Sequence, residues 1–264
     1  MKILVCIKQV PDPESAFAVD PEAPRLDANT IGDLQMNRFD AYALEAALRL
    51  RESGIEIRID AVTVGPKRCG DVLKRAVGMG ADRAFHLLDE FEANADDPQW
   101  IAWAIASWAR QEAYDLVLAG VISEDRMQGV TGPALAALLD LPCATAVAAF
   151  QLSTEKKIVR AEREIEEGNR DIVELDLPAV LTIQSGIHTP RYPSLSNLLR
   201  AGRQPPQCIQ TAPQVMPQPK QSVVLMNHPQ RTRHGRKLGG SPEQKAAELL
   251  ALFRARGLLK DGAP

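Results

Sequence analysis

The chain has 264 residues, 45% of them hydrophobic and 25% charged, with a net charge of −3. That composition suits a soluble globular chain and excludes a disordered tail, and the acidic balance excludes a basic nucleic-acid binder. No apolar run approaches the ~18 residues of a membrane span, so no direct membrane insertion is expected.

The first segment, Ile3 to Ile7, reads as a short buried strand closed by Pro11-Asp12-Pro13. It begins at once after Met1-Lys2, without a signal-peptide layout, which predicts a cytoplasmic protein. Residues 14–36 show little periodicity and read as a long loop. A helix then starts at Asn37, whose side chain is expected to cap the first turn, with Asp40 near the positive helix end. Phe39, Ala43, Ala46, Ala47 and Leu50 share one face, and Gly54 is a plausible stop. A second strand is predicted from Ile55 to Val64, a helix from about Arg68 to Met79, and a third strand from Ala84 to Leu88. Trp100, Trp103 and Trp108 fall in a helix from about Pro98 to Glu112 and read as packing residues. A buried strand at Asp115–Gly120 and a helix from Thr131 to Leu139 complete a βαβα alternation.

Beyond this point the pattern changes. Strands are predicted at Val147–Leu152, Lys157–Arg163, Arg170–Leu175 and Ala179–Gln184, joined by tight turns, as an antiparallel addition to the sheet. Glu164, Glu166 and Glu167 with Arg160, Arg163 and Arg170 read as a solvated, ion-paired hairpin. After Pro190 the chain looks irregular, and 203–222 is rich in proline and glutamine with no amphipathic period. Such a segment cannot build a core and reads as an extended arm lying on another chain. Ser241 as N-cap, Pro242 at N1 and Gln244 in a capping box open a last helix with Leu249, Leu250, Leu252 and Phe253 on one face. The fold class expected is α/β: a mostly parallel Rossmann-like sheet with helices on both faces, an antiparallel extension, and an extended C-terminal arm ending in a helix. The domain reading is 1–202 as a nucleotide-binding α/β domain and 203–264 as an arm and helix packing on a partner subunit.

Chemistry-bearing motifs are sparse. Cys6, Cys69, Cys143 and Cys208 form no CxxC, and His86, His188, His228 and His234 form no HxxxH, so no metal is assigned. There is no P-loop, no GxGxxG after the first strand and no GxSxG. The unusual segment is Gly120–Pro133, at the carboxyl end of a strand where open sheets bind ligands. Gly129 and Gly132 allow close backbone approach, and Thr131 is expected to cap a helix whose N–H groups face a phosphate. No residue stands out as a nucleophile or base, so the sequence points to a binder or carrier and no catalytic residues are assigned.

These pieces, taken in order, resemble the electron transfer flavoprotein beta-subunit family along nearly the whole chain. The resemblance rests on Ile3–Asp12, Met36–Asp40 with Ala43–Leu50, Ala61–Pro66, Ala76–Arg83, Asp115–Gly120, Leu177–Thr182 and Pro190–Leu198. It implies an obligate heterodimer whose alpha subunit holds most of the contacts to a redox FAD. The beta chain would bind a structural AMP and dock an acyl-CoA dehydrogenase or similar flavin dehydrogenase, with an electron transfer flavoprotein–quinone oxidoreductase as acceptor in fatty acid oxidation. In a bifurcating subset a second FAD replaces AMP and accepts hydride from NADH. The family's nucleotide pocket maps to Cys6, Asn37, Arg38, Phe39, Asp40, Val64, Gly120, Ser123, Asp125, Gly129, Val130, Thr131 and Gly132. Val121, Met127 and Val130 stand where the family commonly has polar residues, which favours AMP over a longer diphosphate. A Gly-rich acidic turn followed by Glu is also expected; here Asp171 takes the Glu place. The partner-binding set is Pro190, Arg191, Tyr192, Leu195 and Leu198, with Leu195 as the dehydrogenase anchor, Ser194 and Ser196 as helix caps, and Arg200 and Arg203 as a basic rim. The competing class is a stand-alone adenine-nucleotide sensor of the universal-stress type. That class needs Gly-Ser or Gly-Thr nine residues after GxxG, where this chain has Leu141-Pro142-Cys143.

Overall fold

The computed structural model describes residues 1–15, 18–20, 22, 24–26, 30, 32–89, 97–210, 220–228 and 235–259. Parts of the predicted 14–36 loop and arm, His234 and the Arg200 side chain lie outside them. Two compact units divide at Met226 and Asn227.

In the first unit the elements run β1 (Lys2–Cys6), β2 (Gln9–Pro11), β3 (Leu34–Met36), α1 (Arg38–Glu52), β4 (Arg58–Gly65), α2 (Gly70–Met79), β5 (Arg83–Leu88), α3 (Pro98–Ala109), β6 (Leu116–Gly120) and α4 (Thr131–Leu139). They continue with β7 (Cys143–Ser153), β8 (Ile158–Glu164), β9 (Arg170–Asp176), β10 (Ala179–Ile183), α5 (Leu195–Gly202) and β11 (Gln207–Gln210). Among the described residues the main sheet has nine strands in the order β11-β5-β4-β1-β6-β10-β7-β8-β9. The strands from β11 to β7 are parallel, while β8 and β9 run antiparallel. The α/β class and the antiparallel extension are as the sequence implies.

Both faces of the parallel sheet are covered. Ile3 and Val5 of β1 point to one face with Leu44 and Leu48 of α1 and Leu73 of α2. Leu4 and Cys6 point to the other with Ala102 and Ile105 of α3 and Leu135 of α4. A strand buried on both sides reads as an unbroken apolar run, which is how Ile3–Ile7 looks in the sequence. Trp108 packs on Phe85 with ring centroids 4.6 Å apart, so this tryptophan serves the core.

Several predicted boundaries shift, among them the strand expected at Val147–Leu152, which runs Cys143–Ser153, and the helix expected to Glu112, which ends at Ala109. β4 starts at Arg58 because its parallel partner β1 starts at Lys2, and Ile55–Ile57 meets β1's side only through the Met1 ammonium, which donates to Glu56 O at 3.1 Å. The predicted 14–36 loop yields a strand at its end, where Leu34–Met36 pairs antiparallel with Gln9–Pro11. β10 belongs to the parallel core, between β6 and β7, and not to the antiparallel addition. All five of its residues are buried, so its apolar run was the signal of a central strand. The stretch after Pro190 carries α5, and Gln207–Gln210 pairs with β5 at the sheet edge.

In the second unit, α6 (Pro242–Ala255) begins as expected. Ser241 Oγ accepts from Gln244 N, and the Gln244 side chain returns a bond to Ser241 N at 2.9 Å. Leu249, Leu250 and Phe253 are exposed along it.

Candidate functional site

The strand order places the site. From β1 the chain moves outward through β4 and β5, then crosses to β6 on the other side of β1. The carboxyl ends of β1 and β6 therefore border a topological switch point, where open α/β sheets receive ligands. Cys6 and Lys8 lie at the end of β1, Gly120 ends β6, and the start of α1 fits between them.

Asp40 joins the two strand ends. Its carboxylate accepts from Lys8 N at 2.7 Å and from Gly120 N at 3.0 Å. Burial pushes its carboxyl up to about 7, even though the bonds from Lys8, Asn37 and Gly120 pull the other way. The Cys6 thiol is pushed well up by burial and by the Asp40 charge, which leaves it protonated and unreactive. Gly120 has no room for a side chain: a Cβ there would lie 2.7 Å from Phe39 Cβ and 2.9 Å from the Phe39 carbonyl carbon.

Asn37 does not cap α1 with its side chain. Asn37 Nδ2 donates to Ile122 O at 3.0 Å, and Oδ1 accepts from Glu124 N at 3.1 Å. Loop amides and carbonyls without ladder partners compete for a buried amide side chain, and here they win over the helix end. Arg38 N donates to Glu124 Oε2 at 3.0 Å, with Arg38 Nε 3.4 Å from Oε1. Lys8 Nζ bridges Asp125 at 2.7 Å and Ser123 Oγ at 3.3 Å. Burial raises the Asp125 carboxyl, but the Lys8 ammonium outweighs it and holds it below the usual range.

Thr131 does not cap α4 either. It is the first helical residue, and Val130, at the N-cap, has no side-chain acceptor. The first-turn N–H groups of α4 thus have no side-chain partner from the cap. Gly132 sits against Thr182 of β10, where a Cβ would strike Thr182 Cγ2, and beside Ala119 of β6. Gly129 turns the loop with φ +65°. Val64 packs in the apolar cluster that contains Cys6. The predicted residues Cys6, Asn37–Asp40, Val64, Gly120, Ser123, Asp125 and Gly129–Gly132 lie at or near the carboxyl ends of β1, β4 and β6, the side of an open sheet that carries its crevice. The first-turn N–H groups of α4 take no side-chain cap there, which suits an anionic ligand.

The second predicted cluster is the segment before and within α5. Arg191 is held inside the chain: Nε and Nη2 bond Glu45 at 2.8 and 2.9 Å, and Nη1 bonds Glu52 at 2.6 Å. Glu45 is fully buried, and its carboxyl stays below the usual range because the bonds from Arg191 and Arg49 outweigh desolvation. Arg191 thus positions the loop that follows. Asn197 N donates to Ser194 Oγ at 3.2 Å at the start of α5, and Ser196 Oγ lies 2.9 Å from Ser194 Oγ. Leu198 touches Gly78 beside Pro193 yet is 40% exposed, while Leu195 is 74% exposed and Tyr192 89%. In the β8–β9 hairpin the ion pair is Arg170 with Glu162, while Arg163 binds Thr145 and Glu164 accepts from Gln184.

Residues 28–213 match the profile of the electron transfer flavoprotein domain. The mitochondrial electron transfer flavoprotein subunit beta of Oryza sativa subsp. japonica is 38% identical over 202 residues, covering 76% of this chain and 78% of the relative. The Bacillus subtilis electron transfer flavoprotein subunit beta is 29% identical over 259 residues, 97% of this chain and 98% of its own. The Acetobacterium woodii caffeyl-CoA reductase-Etf complex subunit CarD is 33% identical, covering 78% and 76%. The chain belongs to the electron transfer flavoprotein beta-subunit family.

In this electron transfer flavoprotein chain three polar residues that hold the two clusters together were not among the predicted site residues. Lys8 lies two residues beyond β1, where any polar side chain at a carboxyl edge is a candidate. Glu124 neighbours Asp125 in the unusual loop. Glu45 interrupts the apolar run Ala43-Leu44-Glu45-Ala46-Ala47, and a charge inside a buried helix face demands a partner.

Proposed function

We propose that this chain is the beta subunit of a heterodimeric electron transfer flavoprotein, a cytoplasmic electron carrier that itself performs no catalytic step. FAD, held mainly by an alpha subunit, supplies the redox chemistry when bound. The beta chain binds AMP in the crevice between β1 and β6 and docks an acyl-CoA-type dehydrogenase, and a quinone oxidoreductase takes the electrons onward. The arm beyond β11 and α6 pack on the alpha subunit.

The observation that carries this reading is the crevice itself. Asp40 and Asn37 hold β1, β6 and the loop together through their own hydrogen bonds, and the start of α4 offers N–H groups to one phosphate. Val121, Met127 and Val130 add no polar contact for a longer diphosphate, which supports AMP over a second FAD. For docking, Leu195 stands exposed at the start of α5, after a loop pinned by the Arg191–Glu45 ion pair, so little order is lost on binding.

Co-expression with the alpha subunit, followed by denaturation and quantification of released nucleotides, tests the reading. One AMP and one FAD per heterodimer are expected. Two FAD, or reduction of the flavin by NADH, would assign the bifurcating class, and a stable monomer carrying its own FAD would overturn the proposal.

A further inference from the structure

Away from the crevice, a hollow of about 450 Å³ opens at the outer edge of the sheet, between the first turn of α2 and β11. Its size falls within the roughly 300–1,000 Å³ of small-molecule sites. Three cations line it, Lys67, Arg68 and Lys74, against one carboxylate, Asp71, which Lys74 Nζ already binds at 2.8 Å. Lys67 Nζ has no hydrogen bond or ion pair among the described residues. The inner wall is His86, which is 2% exposed. His86 Nε2 lies 2.9 Å from Gly65 O. A carbonyl oxygen only accepts, so Nε2 carries a hydrogen and the lone pair of the neutral ring sits on Nδ1. Nδ1 has no partner among the described residues, yet it is not sealed from the surface, as Thr63 Oγ1 on the neighbouring strand is. Gly70 leaves this nitrogen open, since a Cβ there would stand 3.4 Å from it. Cys208 of β11 pairs in register with His86 of β5, which sets its thiol on the same side of the sheet.

We propose that this hollow binds a small phosphate monoester, its phosphate held between the Lys67 ammonium and His86 Nδ1. A buried ring nitrogen without a partner calls for one, and an unpaired ammonium beside it calls for an anion. A phosphate monoester meets both demands. Its monoanion has an O–H to donate to the neutral ring, and its dianion accepts from the imidazolium. A carboxylate, with no hydrogen to give near neutral pH, fits only the protonated ring. The volume beyond the phosphate leaves room for the carbon chain of the ester. The site stands apart from the nucleotide crevice, because β5 and β4 separate β11 from β1 in the sheet.

The test uses the heterodimer and the thiol of Cys208, which is exposed while Cys6 and Cys69 are buried. Alkylation of Cys208 by iodoacetamide is followed by peptide mass spectrometry at constant ionic strength. Glycerol 3-phosphate is expected to slow it saturably. Inorganic phosphate, which fills less of the hollow, should do so only at higher concentration. Lys67→Gln removes the charge of an exposed side chain, and Gly70→Ala sets a methyl over Nδ1 at an ordinary contact distance. Each should raise the half-protecting concentration of glycerol 3-phosphate about tenfold, the worth of one charge-assisted hydrogen bond. No protection by glycerol 3-phosphate, wild-type protection in either variant, or inorganic phosphate protecting at least as well as the ester would refute the assignment. A Cys208 that stays unalkylated without any ligand would refute it too, since the hollow would then be closed in the heterodimer.

Discussion

The crevice at β1 and β6 and the segment from Pro190 to Gly202 are both fastened to α1 by an acidic residue, Asp40 for the first and Glu45 for the second. In the crevice the acid accepts from backbone amides, and its neighbours Asn37, Arg38 and Lys8 engage the loop in turn. The result is a closed polar frame with one open helix start. In the second segment the acid grips a guanidinium at the base, and what projects is apolar: Tyr192, Leu195 and Leu199 are all exposed. A frame of fixed polar groups suits a small ligand whose contacts are prepared in advance. A rigid base with uncovered leucines suits a macromolecule that brings the missing apolar surface.

The comparison is broken most severely at Arg191. Arg191→Ala leaves the buried Glu45 carboxylate with Arg49 as its remaining cation. Truncating one side of a buried pair costs about 3 kcal/mol, and urea unfolding should show that loss. A change under ~1 kcal/mol would mean that the loop is not fastened to α1 in this way. In the crevice the corresponding break is Gly120→Ala. The added methyl would meet the α1 backbone at Phe39, which cannot swing aside as a side-chain tip can. A loss of about 1–3 kcal/mol is expected. Bound nucleotide should fall with it, and full stability with full nucleotide content would contradict the packing.

The two acids can also be told apart by pH. Folded Asp40 keeps its proton to about pH 7, whereas a free aspartate gives it up near 3.8. The folded chain therefore binds more protons within that window, and this contribution to stability declines as pH rises from about 4 to about 7. Asp40→Asn should remove that decline, whatever constant offset the substitution adds. Urea midpoints for both proteins at several pH values check it, and identical slopes would place the titration elsewhere. Glu45 has the opposite sign, because its carboxyl is held below the usual range and its contribution is lost as pH falls.

The smallest effect on stability belongs to Leu195→Ala. An exposed leucine leaves folding within ~0.5 kcal/mol and should leave flavin content and heterodimer assembly unchanged. Dehydrogenase docking should nevertheless weaken about ten- to a hundredfold, the equivalent of burying one leucine side chain. Surface plasmon resonance against the dehydrogenase measures this. Unchanged docking would sharpen the comparison the other way, by moving the contact to Tyr192 or Leu199.

Much of the molecule follows from the chain alone. Alternating elements from Ile3 to Leu139 gave the parallel sheet, because period and length are local properties. The capping box at Ser241 was legible for the same reason, since both of its bonds close within three residues. The glycines of the crevice were visible as residue types, and Gly120 proved to be forced by the approach of Phe39.

What the tertiary structure decided was where polar side chains point. Asn37 and Thr131 carry the residue types of helix caps, yet neither caps, because Asn37 meets loop amides from residues 122 and 124 and Thr131 lies one place inside its helix. β10 joins the parallel core because the pairing of Ala179–Ile183 with Leu116–Gly120 spans more than sixty residues, beyond the reach of any local pattern. The bonds from Lys8 to Asp125, Arg38 to Glu124 and Arg191 to Glu45 span 117, 86 and 146 residues. Periodicity reports which face of an element is apolar, and so it locates a core. A hydrogen bond between distant residues depends on two elements arriving at one point, and only the folded chain brings them there.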